Sequence, residues 1–160
     1  MFNYPFAASP VFLLALDRPV AGTELATEAR ERYASPDGVG PNRSIVAFSA
    51  ICAHKLAYPT RDVSFIRYQK ERSATSAGAV IHCCADHSVY DPAHGARVVS
   101  GPAPQPLAAI LLEHDPATDE LAALGTVGAE QFDAFFQKYD AKLGFEYGNG
   151  KARAPVGATS

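Results

Sequence analysis

The chain has 160 residues, with 14 Lys and Arg against 17 Asp and Glu, a formal net charge of −3 at pH 7, 48% hydrophobic residues and 19% charged ones. That length suits one domain with its own core, residues 1–160, and the composition is that of an ordinary globular protein. The charge balance and the lack of a basic stripe give no electrostatic case for nucleic acid. The longest apolar run near the start, VFLLAL at 11–16, is too short for a membrane helix of about 20 residues and lacks a signal peptide's charged start and cleavage site. Any membrane attachment is therefore expected through an anchor absent from this chain.

In chain order, VFLLAL at 11–16 predicts a buried strand. The stretch 21–42, AGTELATEARERYASPDGVGPN, reads first as a helix rich in Ala and Glu, with ATEARER as its solvated face, and then breaks at SPDGVGPN. GVGP at 38–41 has no following Lys and Ser/Thr, so it is a turn rather than a phosphate loop. SIVAFSAI at 44–51 predicts a strand running straight into Cys52, and VSFIRY at 63–68 another. QKERSATSAG at 69–78 predicts an exposed turn, and AVIH at 79–82 a short strand running into Cys83. Further strands are expected at 96–100, 107–115 and 120–127, the last two joined by a PATD hairpin turn, with GPAPQP at 101–106 as a turn. GAEQFDAFFQKYDAKLG at 128–144 reads as an amphipathic helix with Phe132, Phe135, Phe136 and Tyr139 on one face, most simply core packing. The tail from residue 149 is expected to be mobile. Short strands between Gly/Pro turns argue for a mainly antiparallel all-β domain.

Three cysteines, Cys52, Cys83 and Cys84, cannot all pair within one chain, and neighbouring cysteines make a poor disulfide. Each of two loops following a strand offers one thiolate and one imidazole: Cys52 with His54, and Cys84 with His87. Those donors suit zinc or an iron–sulfur centre rather than a hard cation. A structural zinc takes all four ligands on one ion, whereas a mixed-ligand 2Fe–2S cluster takes two Cys on one iron and two His on the other. The three other histidines, His82, His94 and His114, have no matched partner and read as surface or strand-end residues.

The pairs Cys52-x-His54 and Cys84-x-x-His87, followed by SVYDP at 88–92 and GPAP at 101–104, resemble Rieske 2Fe–2S proteins of the respiratory type over roughly residues 38–127. The resemblance implies a Rieske fold: antiparallel β-sandwich layers with a small cluster-binding subdomain at about 50–105, here with the C-terminal helix at about 128–144. It implies a 2Fe–2S cluster held by Cys52, His54, Cys84 and His87. Ser88 and Tyr90 would hydrogen-bond its sulfurs, and Gly101 and Pro102 belong to the loop that would cover it. The chain departs from the family in three ways. The stretch 55–83 between the ligand pairs is long. Ala57 stands where respiratory members carry one cysteine of a loop-to-loop disulfide, which predicts a more labile cluster. The second loop is one residue short: counting back from SVYDP points to Cys83 as an alternative ligand, and counting back from His87 points to Cys84, the choice adopted.

With no catalytic residue of its own, the chain is expected to be a one-electron carrier, the electron-transfer subunit of an oxidoreductase. One use is quinol oxidation in a cytochrome bc-type respiratory complex (a quinol–cytochrome c reductase), with cytochrome b, cytochrome c and quinol as partners; GPAP favours it. The alternative is the small subunit of an arsenite-oxidase-like molybdoenzyme, which GVGPNRSIVAFSAICAHK at 38–55 resembles, Lys55 above all. Both place the domain in the periplasm or on the outer face of a bacterial membrane. An oxygenase-type Rieske ferredoxin, which would be cytoplasmic, and a zinc-stabilised binding module are the further alternatives.

Overall fold

The structure is a computed structural model that describes residues 2–51, 66–74, 76–83, 87–128, 137, 138, 140–148 and 155. In chain order these form strands β1 (Phe2–Asn3), β2 (Pro10–Ala15), β3 (Glu24–Ala26), β4 (Arg32–Ala34), β5 (Ile45–Ser49), β6 (Ile66–Gln69), β7 (Val80–Cys83), β8 (Val89–Asp91), β9 (Arg97–Ser100), β10 (Ala109–Asp115) and β11 (Glu120–Val127). A 3-10 turn, Pro92–His94, lies between β8 and β9, and a helix, α1 (Asp140–Tyr147), follows the last strand. The strands make three antiparallel sheets, ordered β1-β2-β5-β10-β11, β3-β4 and β6-β7-β8-β9.

β5 shows why the larger sheet forms where it does. Its IVAFS sequence is apolar on both faces, so it must lie inside a sheet covered on both sides. On one face Val46 and Phe48 join a core with Phe12 and Leu14 of β2 and Ile66, Ile81, Cys83 and Tyr90 of the four-stranded sheet. On the other, Ala47 packs with Val11 and Ile110 under Phe2, Tyr4 and Leu112. The two sheets thus share one core, in which burying each large apolar side chain stabilises by about 1.5–3 kcal/mol. The hairpin of β10 and β11 forms as expected around its Pro116–Asp119 turn, closed by Asp119 N–H donating to the Asp115 carbonyl at 2.8 Å.

The expected helix within 21–34 is instead the β3–β4 hairpin. Leu25, Ala29 and Tyr33 fall at helical spacing, and the local composition favours helix, but tertiary contacts override this weak preference. Leu25 and Tyr33 are paired directly across the two strands. The Tyr33 ring lies over Gly128, where an added Cβ would stand 2.9 Å from it. The connection is a three-residue loop: Thr27 N–H donates to the Glu31 carbonyl and Arg30 N–H to the Thr27 carbonyl, with Arg30 left-handed at φ 66°. At its tip Glu28 N–H donates to Gln105 Oε1 at 3.0 Å, a tether between segments 77 residues apart. ATEARER is therefore a hairpin turn rather than a helix face.

Burial pushes the Tyr33 phenol up from its ordinary value of 10.0 to about 12. Because the folded value is the higher, the stability contributed by the neutral phenol is complete below about pH 10 and is lost as pH rises through about 12. A thermal-unfolding series across that window should show a steep alkaline loss of stability, and Tyr33→Phe should remove part of it.

Other boundaries shift by a residue or two. SVYDP contributes a strand, β8, that no expectation included, because three residues are too few to show alternation. Within QKERSATSAG, Gln69 ends β6 and Ser76 is buried, so the turn is only partly exposed. α1 runs through Gly144 to Tyr147, past the expected end, and buries Leu143. The stripe Phe132, Phe135, Phe136 and Tyr139 lies outside the described residues. Of the tail expected to be mobile, Pro155 is described, and it bridges to Phe6. Among the described residues no helix is long and apolar enough to cross a membrane.

Candidate functional site

The second Cys/His loop is the turn of the β7–β8 hairpin. Ile81 faces Tyr90 and His82 faces Val89 across the two strands. Beyond them, Cys83 N–H donates to the Ser88 carbonyl and His87 N–H to the Cys83 carbonyl, each at 2.8 Å. Cys83 and Ser88 thus bracket residues 84–87. Strand alternation puts Cys83 on the same inward face as Ile81, where it is 1% exposed within the shared core. His87 is exposed and left-handed at φ 63°, a conformation costing a non-glycine residue about 1–2 kcal/mol. Such strain persists only where the surroundings hold it, and it gathers at functional sites.

What holds it is the GPAP segment. β9 carries a bulge against β8: Val89 pairs with Ser100 and Tyr90 with Val98, so Val99 is the extra residue. A bulge bends its strand and increases the twist, and the chain leaves β9 directly over the hairpin. Gly101, at φ 91°, lies so close that an added Cβ would stand 2.5 Å from Ser88 Cα and 2.7 Å from the His87 carbonyl oxygen. Only glycine fits both that conformation and that approach. Two residues on, Ala103 N–H donates to Ser88 Oγ at 3.0 Å. Ser88 is fully buried and its hydroxyl oxygen accepts this bond. Pro102 is exposed beside this clasp.

The far end of β8 is fixed separately. Asp91 caps the 3-10 turn by accepting from Ala93 N–H at 3.0 Å and also accepts from His94 Nδ1 at 2.7 Å, with Arg97 3.7 Å away. The first loop's stem is equally anchored. Ser49 N–H donates to the Ala108 carbonyl, Ala50 N–H to the Pro10 carbonyl and Ile51 N–H to Ser49 Oγ, and Ala50 and Ile51 are buried immediately before Cys52.

Of the candidate residues, the structure brings His87, Ser88 and Gly101 into contact, with Tyr90 two residues further along β8 and fully buried. Cys52, His54 and Cys84 lie outside the described residues, and among the described ones no group of three or more His, Cys, Asp or Glu gathers to hold a metal. The three remaining histidines are not unpartnered: His82 Nε2 shares a hydrogen bond with Ser76 Oγ, His94 donates to Asp91 and His114 pairs with Asp119 at 2.7 Å. Two parts of this arrangement are not legible in the sequence: the Ala103 N–H, because any residue supplies one, and the cap at Asp91, although D-P followed by Gly95 is itself a capping signal.

Three antiparallel sheets, two of them sharing a core, make a nearly all-β fold, and its likeness to a solved Rieske structure shows it to be of the Rieske type. The soluble domain of the Rieske protein II (soxF) from Sulfolobus acidocaldarius aligns to this chain with a TM-score of 0.55 and 29% sequence identity, over 78% of this chain and 66% of that one. The chain therefore spans slightly less than two thirds of the length of that relative. No family model matches the sequence.

Proposed function

We propose that this chain is a one-electron carrier whose 2Fe–2S cluster is held by Cys52, His54, Cys84 and His87. The observation that carries the reading is the clasp of Gly101 and Ala103 on His87 and Ser88: it fixes an exposed histidine with a left-handed backbone at the hairpin tip, beside a buried serine hydroxyl. The Rieske protein among the solved structures supports the same reading. A cluster of this kind supplies reversible one-electron transfer. Cys84 is the ligand of the second loop in this reading, a choice supported by the burial of Cys83 among apolar side chains. Ser88 and Tyr90 raise the reduction potential by donating hydrogen bonds, while Gly101 and Pro102 cover the site.

The wider role is quinol oxidation within a membrane-associated respiratory complex of the cytochrome bc type, on the periplasmic face, with a cytochrome as redox partner. The small subunit of an arsenite-oxidase-like molybdoenzyme is the second reading, favoured by Lys55 directly after His54. Reduction by a short-chain quinol in the presence of a cytochrome bc complex supports the first; reduction only by a molybdoenzyme subunit supports the second.

Iron and sulfide analysis with electron paramagnetic resonance tests the cluster itself: two irons and two sulfides per chain are expected, and stoichiometric zinc without iron would refute the reading. Ser88→Ala should keep the iron and lower the potential. A hydrogen bond to a charged group is worth about 1.5 kcal/mol, and since tenfold in a one-electron equilibrium is about 59 mV, the fall should be on the order of 60 mV.

A further inference from the structure

We propose that the β6 edge and the turn behind it form a docking surface for an acidic patch on the redox partner protein. This rests on the electron-carrier reading and adds to it the partner's surface chemistry. β6 is an outer strand of its sheet, and Arg67 on it and Lys70 and Arg72 just beyond it are exposed. Among the described residues, most arginines elsewhere have a carboxylate beside them: Arg18, Arg32, Arg43 and Arg97 lie 3.5, 3.5, 3.6 and 3.7 Å from one. Among the described residues no carboxylate comes within 4 Å of Arg67, Lys70 or Arg72, although Glu71 sits between two of them. Arg30, at its hairpin tip, shares this state, but its neighbour Arg32 is paired with Glu24. Across the sheet Arg67 is in register with His82, Val89 and Ser100, a row with no acid in it.

Guarding a free edge against aberrant pairing explains Arg67. It does not explain Lys70 and Arg72, which lie past the strand. They sit on a fixed frame: Ala79 N–H donates to the Lys70 carbonyl at 2.9 Å, and Gln69 Nε2 donates to the Glu71 carbonyl and to Ser73 Oγ, both at 3.2 Å. A frame of that kind reduces the side-chain and loop ordering a partner must impose on binding. Arg67 follows Ile66, which pairs with Cys83, and so lies nearest the stem of the 84–87 loop, while Lys70 and Arg72 continue the edge away from it. The chain as a whole is net −3, and Glu113, Asp115, Asp119 and Glu120 are grouped at the β10–β11 hairpin end. An acidic partner is therefore repelled by one part of the molecule and drawn to this edge, which sets orientation and speeds encounter.

The test is fluorescence anisotropy with a labelled decaglutamate peptide, a readout that needs no iron. Binding should weaken at least tenfold between about 20 and about 200 mM salt, and should weaken at least tenfold in the Arg67→Glu, Lys70→Glu, Arg72→Glu triple variant and severalfold in Arg72→Glu alone. Arg32→Glu, whose Arg is ion-paired elsewhere, should bind as the unaltered protein does. Equal binding by the triple variant, or equal loss in Arg32→Glu, overturns the proposal. So does capture of the protein by phosphatidylglycerol vesicles through these three residues without peptide binding, which would make the surface a lipid site. Absence of iron from the protein would instead refute the electron-carrier reading, and the peptide result would stand apart from it.

Discussion

Gly101→Ala should strip most of the iron from the protein and lower its stability by about 3 kcal/mol. The estimate has two parts. A non-glycine residue held at positive φ costs about 1–3 kcal/mol, and the φ here is 91°. The new methyl must also be accommodated 2.5 Å from Ser88 Cα and 2.7 Å from the His87 carbonyl oxygen. Those neighbours are backbone atoms of a hairpin and cannot rotate away, so overpacking adds about 1–3 kcal/mol. Against a total stability of about 5–15 kcal/mol, the chain should still fold, with the damage concentrated where the GPAP segment meets the loop. Denaturant unfolding gives the stability loss, and iron content before and after gel filtration gives the lability. Leu124→Ala, at an exposed position of β11, should retain the iron and serve as the control.

The cysteine pair gives the second large effect. Cys84→Ser should abolish the iron centre. Cys83→Ser should keep it and cost stability, because a hydroxyl replaces a thiol that is 1% exposed among Ile66, Ile81 and Tyr90. Burying a hydroxyl costs about 1–3 kcal/mol, which in a chain of this size lowers the melting temperature by about 2–4 °C per kcal/mol. Iron analysis and thermal melts of the two variants decide the matter. The reverse pattern, iron lost with Cys83→Ser and kept with Cys84→Ser, would make Cys83 the ligand and would mean that the short second loop is read from SVYDP rather than from His87.

How legible all this is in the sequence depends on the range of the interactions involved. VFLLAL, SIVAFSAI and the pair of runs around PATD announce their strands because each carries its own apolar pattern or turn chemistry. The β3–β4 hairpin does not, because its reason for existing lies elsewhere: Glu28 is held by Gln105, and Tyr33 rests on Gly128. Local composition there spoke for helix and was outvoted. At the site, the residue types His87, Ser88, Tyr90, Gly101 and Pro102 stand out in order along the chain, and with the two Cys/His pairs they carry the resemblance that implies a Rieske fold. Their contact does not stand out. That Gly101 touches Ser88, that Ala103 supplies a backbone donor and that Val99 is bulged to aim them are properties of strand register, which no single run of residues encodes. The burial of Cys83 is intermediate: the alternation of Val80, Ile81, His82 and Cys83 hints at it, and the shared core makes it definite.

The central claim is that this chain carries one electron at a hydrogen-bonded, histidine-ligated centre. Its most direct test is a voltammetric titration of the reduction potential from about pH 5 to about pH 10, since Rieske centres span about −150 to +300 mV. The account predicts a one-electron wave in the upper part of that range, with a potential that falls by up to about 59 mV per pH unit because electron and proton uptake are coupled. A flat potential at the low end would contradict the respiratory role, and no wave at all from metal-loaded protein would contradict the electron carrier itself.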